Sequence, residues 1–421
     1  MKAPVPRAFG TIGSCCLAAT ASTALMSSSV LTPAAADARI RTPRPLVMAG
    51  NVPERLSAAS MRPRHIPTAQ LRADRRGDTP FSSTYFKITN ITSEVYGSDG
   101  AAVALNDDGR IGYNDYGNGE DIPPQAFIVN NGGSFGVLSF PSDGCSESDF
   151  SSLTVSALNE NAEAVGSYIC GNSGYLGWSL SGASGSSVIY SDQSDDNGYA
   201  VAVNDRDVAV GCDGQCYSGA PGSAAIFTRS LSPGGRITDL RGFKDRACFA
   251  SATAINDAGQ IVGFACGEAV RFSTSEYAQA LGVGAGSAAE AINQHGDIVG
   301  SAGSSAFLER DGRNIKLPKP AAYGKYAAIA YAVNAADEAV GTLYGPGGTT
   351  VAFAYADGHA YTLDSLLPPH SGWTIADAYG VNDHGEIVGD GYYNGTLYGI
   401  SLKPPLSAAG DRVKPITFIS W

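Results

Sequence analysis

The chain has 421 residues, 52 of them glycine, with 16% charged residues and a formal net charge of −12. That glycine content supplies far more turns than a helical protein uses, and the glycines do not fall at every third position, which excludes collagen. The acidic balance argues against nucleic acid or an anionic membrane as the partner of the body of the chain.

The first element is a leader. Lys2 and Arg7 precede a mildly apolar run over residues 8–31, and "TPAAADAR" places the small residues Ala36 and Ala38 ahead of Arg39. This is the layout of a bacterial secretory signal peptide, residues 1–38, cleaved near Ala38. Thr and Ser dilute the run too far for a membrane anchor, and the apolar stretch before Cys15 is short for a lipobox. Residues 39–80 ("RTPRPLVM", "MRPRHIP", "LRADRRGDTP") are rich in Pro and Arg and show no period. They read as a mostly disordered linker with a net positive charge.

One phrase then recurs through residues 81–421: "AAVALNDDGRIGY", "TVSALNENAEAVGSY", "YAVAVNDRDVAVGC", "SATAINDAGQIVGFA", "AAEAINQHGDIVGSA", "AIAYAVNAADEAVGTLY" and "ADAYGVNDHGEIVGDGY". Its anchors are Asn106, Asn159, Asn204, Asn256, Asn293, Asn334 and Asn382, spaced by 53, 45, 52, 37, 41 and 48 residues. A recurring unit of uneven length is one supersecondary element with variable loops. Each copy predicts a β-hairpin, because Asn tolerates a left-handed turn and Gly supplies positive φ. Counting from the Asn, a four-residue turn sets the residue two before it against the one five after, and four before against seven after. That predicts one flat face of Ala, Ala, Ile or Ala, and Gly, with Leu105, Val203, Ile255, Val262 and their equivalents on the other. Both faces are apolar, so each sheet must be sandwiched between neighbours.

Two weaker strands follow each hairpin, such as "AVRFS" and "AQALG". Four strands in each of seven units predict an all-β fold, a seven-bladed β-propeller. A solenoid fits less well, since its repeats vary less in length. The seventh unit lacks an evident fourth strand; Tyr85–Ile91 ("YFKITNI") fills that place, with the C-terminal "VKPITFISW" as a rival.

The phrase "A-x-A-I-N-x-x-G-x-I-V-G" followed by "A-F" resembles the HAF repeat of extracellular bacterial proteins, over residues 100–400. The resemblance implies export and a repeated β architecture. It implies no settled activity and transfers no functional residue. The first copy is one residue short, and the second and sixth lack the turn glycine.

The Asn-Asp-x-Gly turns share one rim and barely vary, which is the mark of a structural part. A ring of Ca²⁺ sites on Asp107, Asp205, Asp257 and Asp383 is rejected because no copy carries an EF-hand ligand series. The opposite rim holds the variable loops and crossings. Its loops carry Tyr113, Tyr116, Tyr168, Tyr175, Tyr217, Tyr344, Tyr392 and Tyr393, and its crossings Asp192, Asp195, Asp196 and Trp373. The candidate ligand-binding residues are Tyr116, Tyr175, Tyr217, Tyr344, Tyr392, Tyr393, Trp373, Asp195 and Asp196, because tyrosine stacks on sugars or packs against a protein partner. After the leader's Cys15 and Cys16, an even set of six cysteines predicts the local disulfides Cys145–Cys170, Cys212–Cys216 and Cys248–Cys266. A zinc site on Cys212 and Cys216 lacks a second ligand pair.

No G-x-S-x-G, Walker or H-E-x-x-H string occurs, and no metal or cofactor site is expected. The reading is an exported, monomeric, non-catalytic binding propeller, secreted or at the cell surface or periplasm. It takes a glycan or a protein, not nucleic acid, and the mature chain has no membrane span. The alternative is a carbohydrate-active enzyme, a glycosidase or polysaccharide lyase, pairing acids such as Glu120, Asp149, Asp192, Asp195 and Asp196 across the ring.

Overall fold

The structure, a computed structural model, describes residues 85–92, 100–116, 125–130, 135–137, 150–170, 175–181, 185–189, 198–214, 222–228 and 236–405. The signal peptide, the linker and the C-terminal "VKPITFISW" lie outside these residues. The fold is an all-β β-propeller. No α-helix occurs among the described residues, and none of their helices is long and apolar enough to cross a membrane.

The described strands form seven four-stranded antiparallel sheets. In chain order, the first holds Gly100–Leu105, Ile111–Asp115, Gln125–Val129 and Phe135–Val137. The second holds Phe150–Leu158, Ala164–Cys170, Tyr175–Ser181 and Gly185–Ile189, and the third Tyr199–Val203, Val208–Asp213, Ser223–Thr228 and Arg236–Asp239. The fourth holds Ala250–Ile255, Ile261–Ala265, Glu268–Phe272 and Gln279–Ala285, and the fifth Ser287–Ile292, Ile298–Ala302, Ser305–Arg310 and Arg313–Lys316. The sixth holds Ala327–Val333, Ala339–Tyr344, Thr350–Ala356 and His359–Thr362. The seventh is composite. Trp373–Val381, Ile387–Tyr393 and Thr396–Lys403 are completed by Lys87–Asn90, paired from Lys87↔Lys403 to Asn90↔Ile400. The N-terminal strand therefore takes the open fourth place and covers the edge of Thr396–Lys403.

Apolar clusters join each sheet to the next. Val210 and Ile226 of the third meet Ala252 and Ile261 of the fourth, and Val299 and Leu308 of the fifth meet Ala330 and Phe353 of the sixth. Val388 of the seventh packs with Ala102, Ile111 and Phe127 of the first, so the stacking closes on itself. The core is distributed between blades, as the two-sided apolar pattern required.

The predicted register needs one correction. Ile255 pairs with Ile261, Ala254 with Val262 and Ala252 with Gly263, with a bulge at Thr253. The residue two before the Asn thus faces the one six after it, not five. The extra residue shifts Ala254 onto the face of Val262, which packs toward the fifth sheet, while Ala252 and Ile261 face the third. The bulge also explains the closing glycine. A Cβ on Gly263 would lie 2.1 Å from the Ser251 carbonyl oxygen, and one on Gly389 2.0 Å from that of Asp377. Gly211, Gly300 and Gly341 meet the same obstruction.

The turns carry a second device. Each anchoring Asn side chain accepts from the backbone N–H four residues on and donates to the carbonyl of the next sheet's Asn. The donations run from Asn106 to Asn159, then Asn204, Asn256, Asn293, Asn334 and Asn382, which donates back to Asn106 at 3.1 Å. Outside this circle runs a belt of carboxylates and one amide. Asp107 N–H donates to Glu160, Glu160 to Asp205, Asp205 to Asp257, Asp257 to Gln294, Ala335 to Asp383, and Asp383 to Asp107. It is broken between Gln294 and Ala335, whose methyl side chain offers no oxygen. The positive-φ position of the turn is Gly109, Gly259, Gly296 and Gly385 in four copies but Ala162, Asp207 and Asp337 in the others. The third copy thus joins the second and sixth in lacking the turn glycine.

Candidate binding site

Antiparallel pairing puts the Asn turns on one rim and the links between second and third strands on the other. The Cys248–Cys266 disulfide forms on that second rim, tying the entry of the fourth sheet's first strand to the exit of its second. Cys212 is also disulfide-bonded. Cys145, Cys216 and the side chain of Cys170 lie outside the described residues, as do Tyr217, Asp195, Asp196 and the Tyr175 side chain. Among the acids considered for catalysis, Glu120, Asp149 and Asp192 lie there too.

Two predicted residues, Trp373 and Tyr393, are brought together on the seventh sheet, and Tyr392 takes the opposite face of its strand. Trp373 opens its first strand and faces Tyr393 at the end of its second, while Thr374 faces Tyr392. The Trp373 and Tyr393 rings lie 5.1 Å apart at 35°, and Tyr398 meets Trp373 edge-on at 5.9 Å. Gly372 has φ of 79°, and a Cβ there would come 3.0 Å from the Tyr393 ring, so glycine lets the ring lie over the backbone. Tyr393 is 40% exposed, one of few large apolar side chains so open to water. The result is an aromatic platform on the variable rim.

Other loop tyrosines sit elsewhere than expected. Tyr113 and Tyr168 lie within strands and are fully buried; Tyr113 shares a 2.9 Å hydrogen bond with Thr92. The strand simply continues further than the turn-rich sequence suggested. Tyr344 is not a loop contact either. It ends the sixth sheet's second strand, and its hydroxyl lies 2.5 Å from that of Tyr331 on the innermost strand of that sheet.

That contact belongs to a second cluster, built on the innermost strands. Tyr331 and Tyr379, at the bulge position three residues before the Asn, lie in adjacent sheets with ring centroids 6.2 Å apart. Tyr379 donates to Asp390 at 3.4 Å, and Asp390 stands directly opposite Asp377. Asp377 also accepts from Thr342 of the sixth sheet at 2.8 Å. Tyr116 is half-buried and, like Tyr379, packs against the apolar cluster between the first two sheets. Burial, and then the carboxylates of Asp377, Asp390 and Glu290 together with the neighbouring phenols, hold Tyr344 and Tyr379 well above the ordinary phenol range. Both are neutral hydroxyls at physiological pH, donors and acceptors beside carboxylates.

The sequence reading named Tyr116 and Tyr344 of this cluster and missed Glu290, Tyr331, Asp377, Tyr379 and Asp390. A signal was available. The bulge position varies from Val103, Ser156, Val201 and Thr253 to Glu290, Tyr331 and Tyr379, between flanking positions that are Ala in nearly every copy. Among the described residues no three His, Cys, Asp or Glu side chains are grouped to hold a metal ion.

No family model and no curated protein matches the chain. Several solved structures are similar to it at low identity. A virginiamycin B lyase from Staphylococcus aureus is 10% identical with a TM-score of 0.46, over 76% of this chain and 100% of that one. The extracellular domain of a hybrid two-component system from B. thetaiotaomicron is 11% identical with a TM-score of 0.41, over 77% of this chain and 40% of that one. A gluconolactonase from Xanthomonas campestris is 10% identical with a TM-score of 0.35, over 77% and 92%. Such distant likenesses carry no activity across to this chain.

Proposed function

We propose that the chain is an exported, monomeric, seven-bladed binding propeller of the HAF-repeat kind, secreted or held at the cell surface or periplasm after cleavage near Ala38. Its ligand is a glycan or a protein engaged through the rim opposite the asparagine turns. The observation that carries this reading is the platform of Trp373, Tyr393 and Tyr398. Rigid aromatic rings lose little entropy on binding, and their faces match the C–H faces of sugars. The acidic body favours a neutral or cationic ligand over an anionic one. A glycan array and pull-downs from cell-surface extracts test the reading. Binding is expected to fall at least ~10-fold in Trp373→Ala and in Tyr393→Ala, the loss of about 1.4 kcal/mol that one stacked ring supplies. Binding that survives both substitutions would remove the platform from the account.

A carbohydrate-active enzyme is the second reading, and one observation favours it: Asp377 and Asp390 are cross-strand neighbours, two carboxyl groups on one face of one sheet. Paired acids are what glycoside hydrolysis requires. Turnover of a polysaccharide that Asp377→Asn and Asp390→Asn each abolish would establish it; inactivity of the unaltered protein across a polysaccharide panel would dismiss it.

A further inference from the structure

The innermost strands form a second site whose chemistry differs from that of the rim. From the geometry we infer that Glu290, Tyr331, Tyr344 and Tyr379, backed by Asp377 and Asp390, bind an organic ammonium group such as a quaternary or primary alkylamine. The inference does not rest on the rim platform.

Three observations carry it. The first is convergence. Two phenol rings from adjacent sheets stand 6.2 Å apart, and the hydroxyls of Tyr331 and Tyr344 touch at 2.5 Å. Tyr379 links this group to Asp390, and Asp377 lies across from Asp390. Aromatic faces beside carboxylates are the surroundings that attract a weakly hydrated cation.

The second is an internal comparison. The seven copies solve the same packing problem, and four of them place Val103, Ser156, Val201 and Thr253 at the bulge. The Asn circle and the inter-sheet clusters form in those copies as well. A tyrosine or glutamate at this position is therefore not needed for the hairpin. Glu290, Tyr331 and Tyr379 occupy three successive sheets, so the departure is confined to one sector. No copy has Lys or Arg there.

The third separates an organic cation from a metal ion. Tyrosines interleave the carboxylates, and the described acids do not come together in a metal-sized group. A divalent ion needs several oxygen ligands at once, whereas an ammonium group is served by ring faces with one or two carboxylates at their edge. Glu290 and the three tyrosines are each half-buried rather than sealed in the core. The net charge of −12 also draws cations toward the protein.

The test is calorimetric titration of the full mature chain with choline chloride. Its neutral tert-butyl analogue, and sodium and calcium chloride at matched ionic strength, serve as comparisons. Saturable choline binding is expected, at least ~10-fold weaker for the neutral analogue and at least ~10-fold weaker in Glu290→Gln and in Tyr331→Leu. Trp373→Ala should leave choline binding unchanged, which separates this site from the rim. Near-UV circular dichroism reports whether each variant is folded. If Tyr331→Leu does not fold, the half-buried, size-conserving Glu290→Gln decides alone. The inference is overturned if choline does not saturate, if the neutral analogue or calcium binds as well, or if Glu290→Gln binds as the unaltered protein does.

Discussion

Each anchoring asparagine is used at both ends of its amide. The Asn204 oxygen accepts from the N–H groups of Arg206 and Val208, and its nitrogen donates to the Asn256 carbonyl in the next sheet. Alanine there would leave buried groups without partners, at a cost of about 2–4 kcal/mol by the usual penalty for such orphans. Denaturant unfolding of Asn204→Ala measures it, and a loss within experimental error would show that the circle contributes nothing. Three turns pay for a side chain where the backbone is left-handed. Ala162, at φ of 63°, has no side-chain polar group to compensate. Ala162→Gly should therefore stabilise the fold by about 0.5–1 kcal/mol, despite the added freedom of the unfolded chain. The turn itself is legible in "NDAG", because its chemistry is local. The circle is not, because each amide's partner is 37–53 residues away along the chain, and for Asn382 the separation is 276.

The hairpin obeys its repeat in composition and departs from it in register. Small residues at regular positions did announce thin, closely stacked sheets. The bulge escaped notice because an extra residue leaves the apolar count unchanged and alters only which face each residue takes. Its effect is testable at glycine. Gly263→Ala places a methyl against a carbonyl of its own sheet and should destabilise by about 3 kcal/mol, at the upper end of overpacking costs. Gly267→Ala meets no atom within 4 Å but has φ of 72°. It should lose only about 1 kcal/mol, the cost of a left-handed alanine. Equal losses at the two positions would refute the close-approach account. The third residue before each Asn, at the bulge, varies between copies while the small residues on either side of it barely do. Sequence reasoning aimed at long loops therefore found the rim tyrosines Tyr392 and Tyr393 but passed over Tyr331 and Tyr379. Loop length marks a rim, whereas these side chains sit within strands of ordinary length.

Closure gives the molecule two seams made by the same contacts. The N-terminal strand pairs with Thr396–Lys403, Asn382 reaches Asn106 as every neighbouring pair of anchors does, and Asp383 reaches Asp107 as in the unbroken part of the belt. The outer belt crowds carboxylates around the turn rim. Burial first, and then the neighbouring carboxylates, raise Asp107 and Glu160 above their ordinary values, against the lowering effect of the N–H groups they accept from. A carboxyl group whose pKa is raised on folding binds its proton more tightly in the native state. Its stabilising contribution is complete below the unfolded value, and it is lost as pH rises through the folded one. Mild acidification from neutral pH should therefore raise the melting temperature, within the window above the ordinary values of 3.8 and 4.5. Both groups stay partly in water, so the effect is modest and added salt should weaken the repulsive part of it. Asp107→Asn removes one carboxylate while keeping an oxygen for the Asp383 N–H, and should flatten the dependence. Melting curves of the two proteins across that window decide the matter. A melting temperature that falls on mild acidification equally in both would mean that the half-buried carboxylates of the belt do not govern the ring's response to pH.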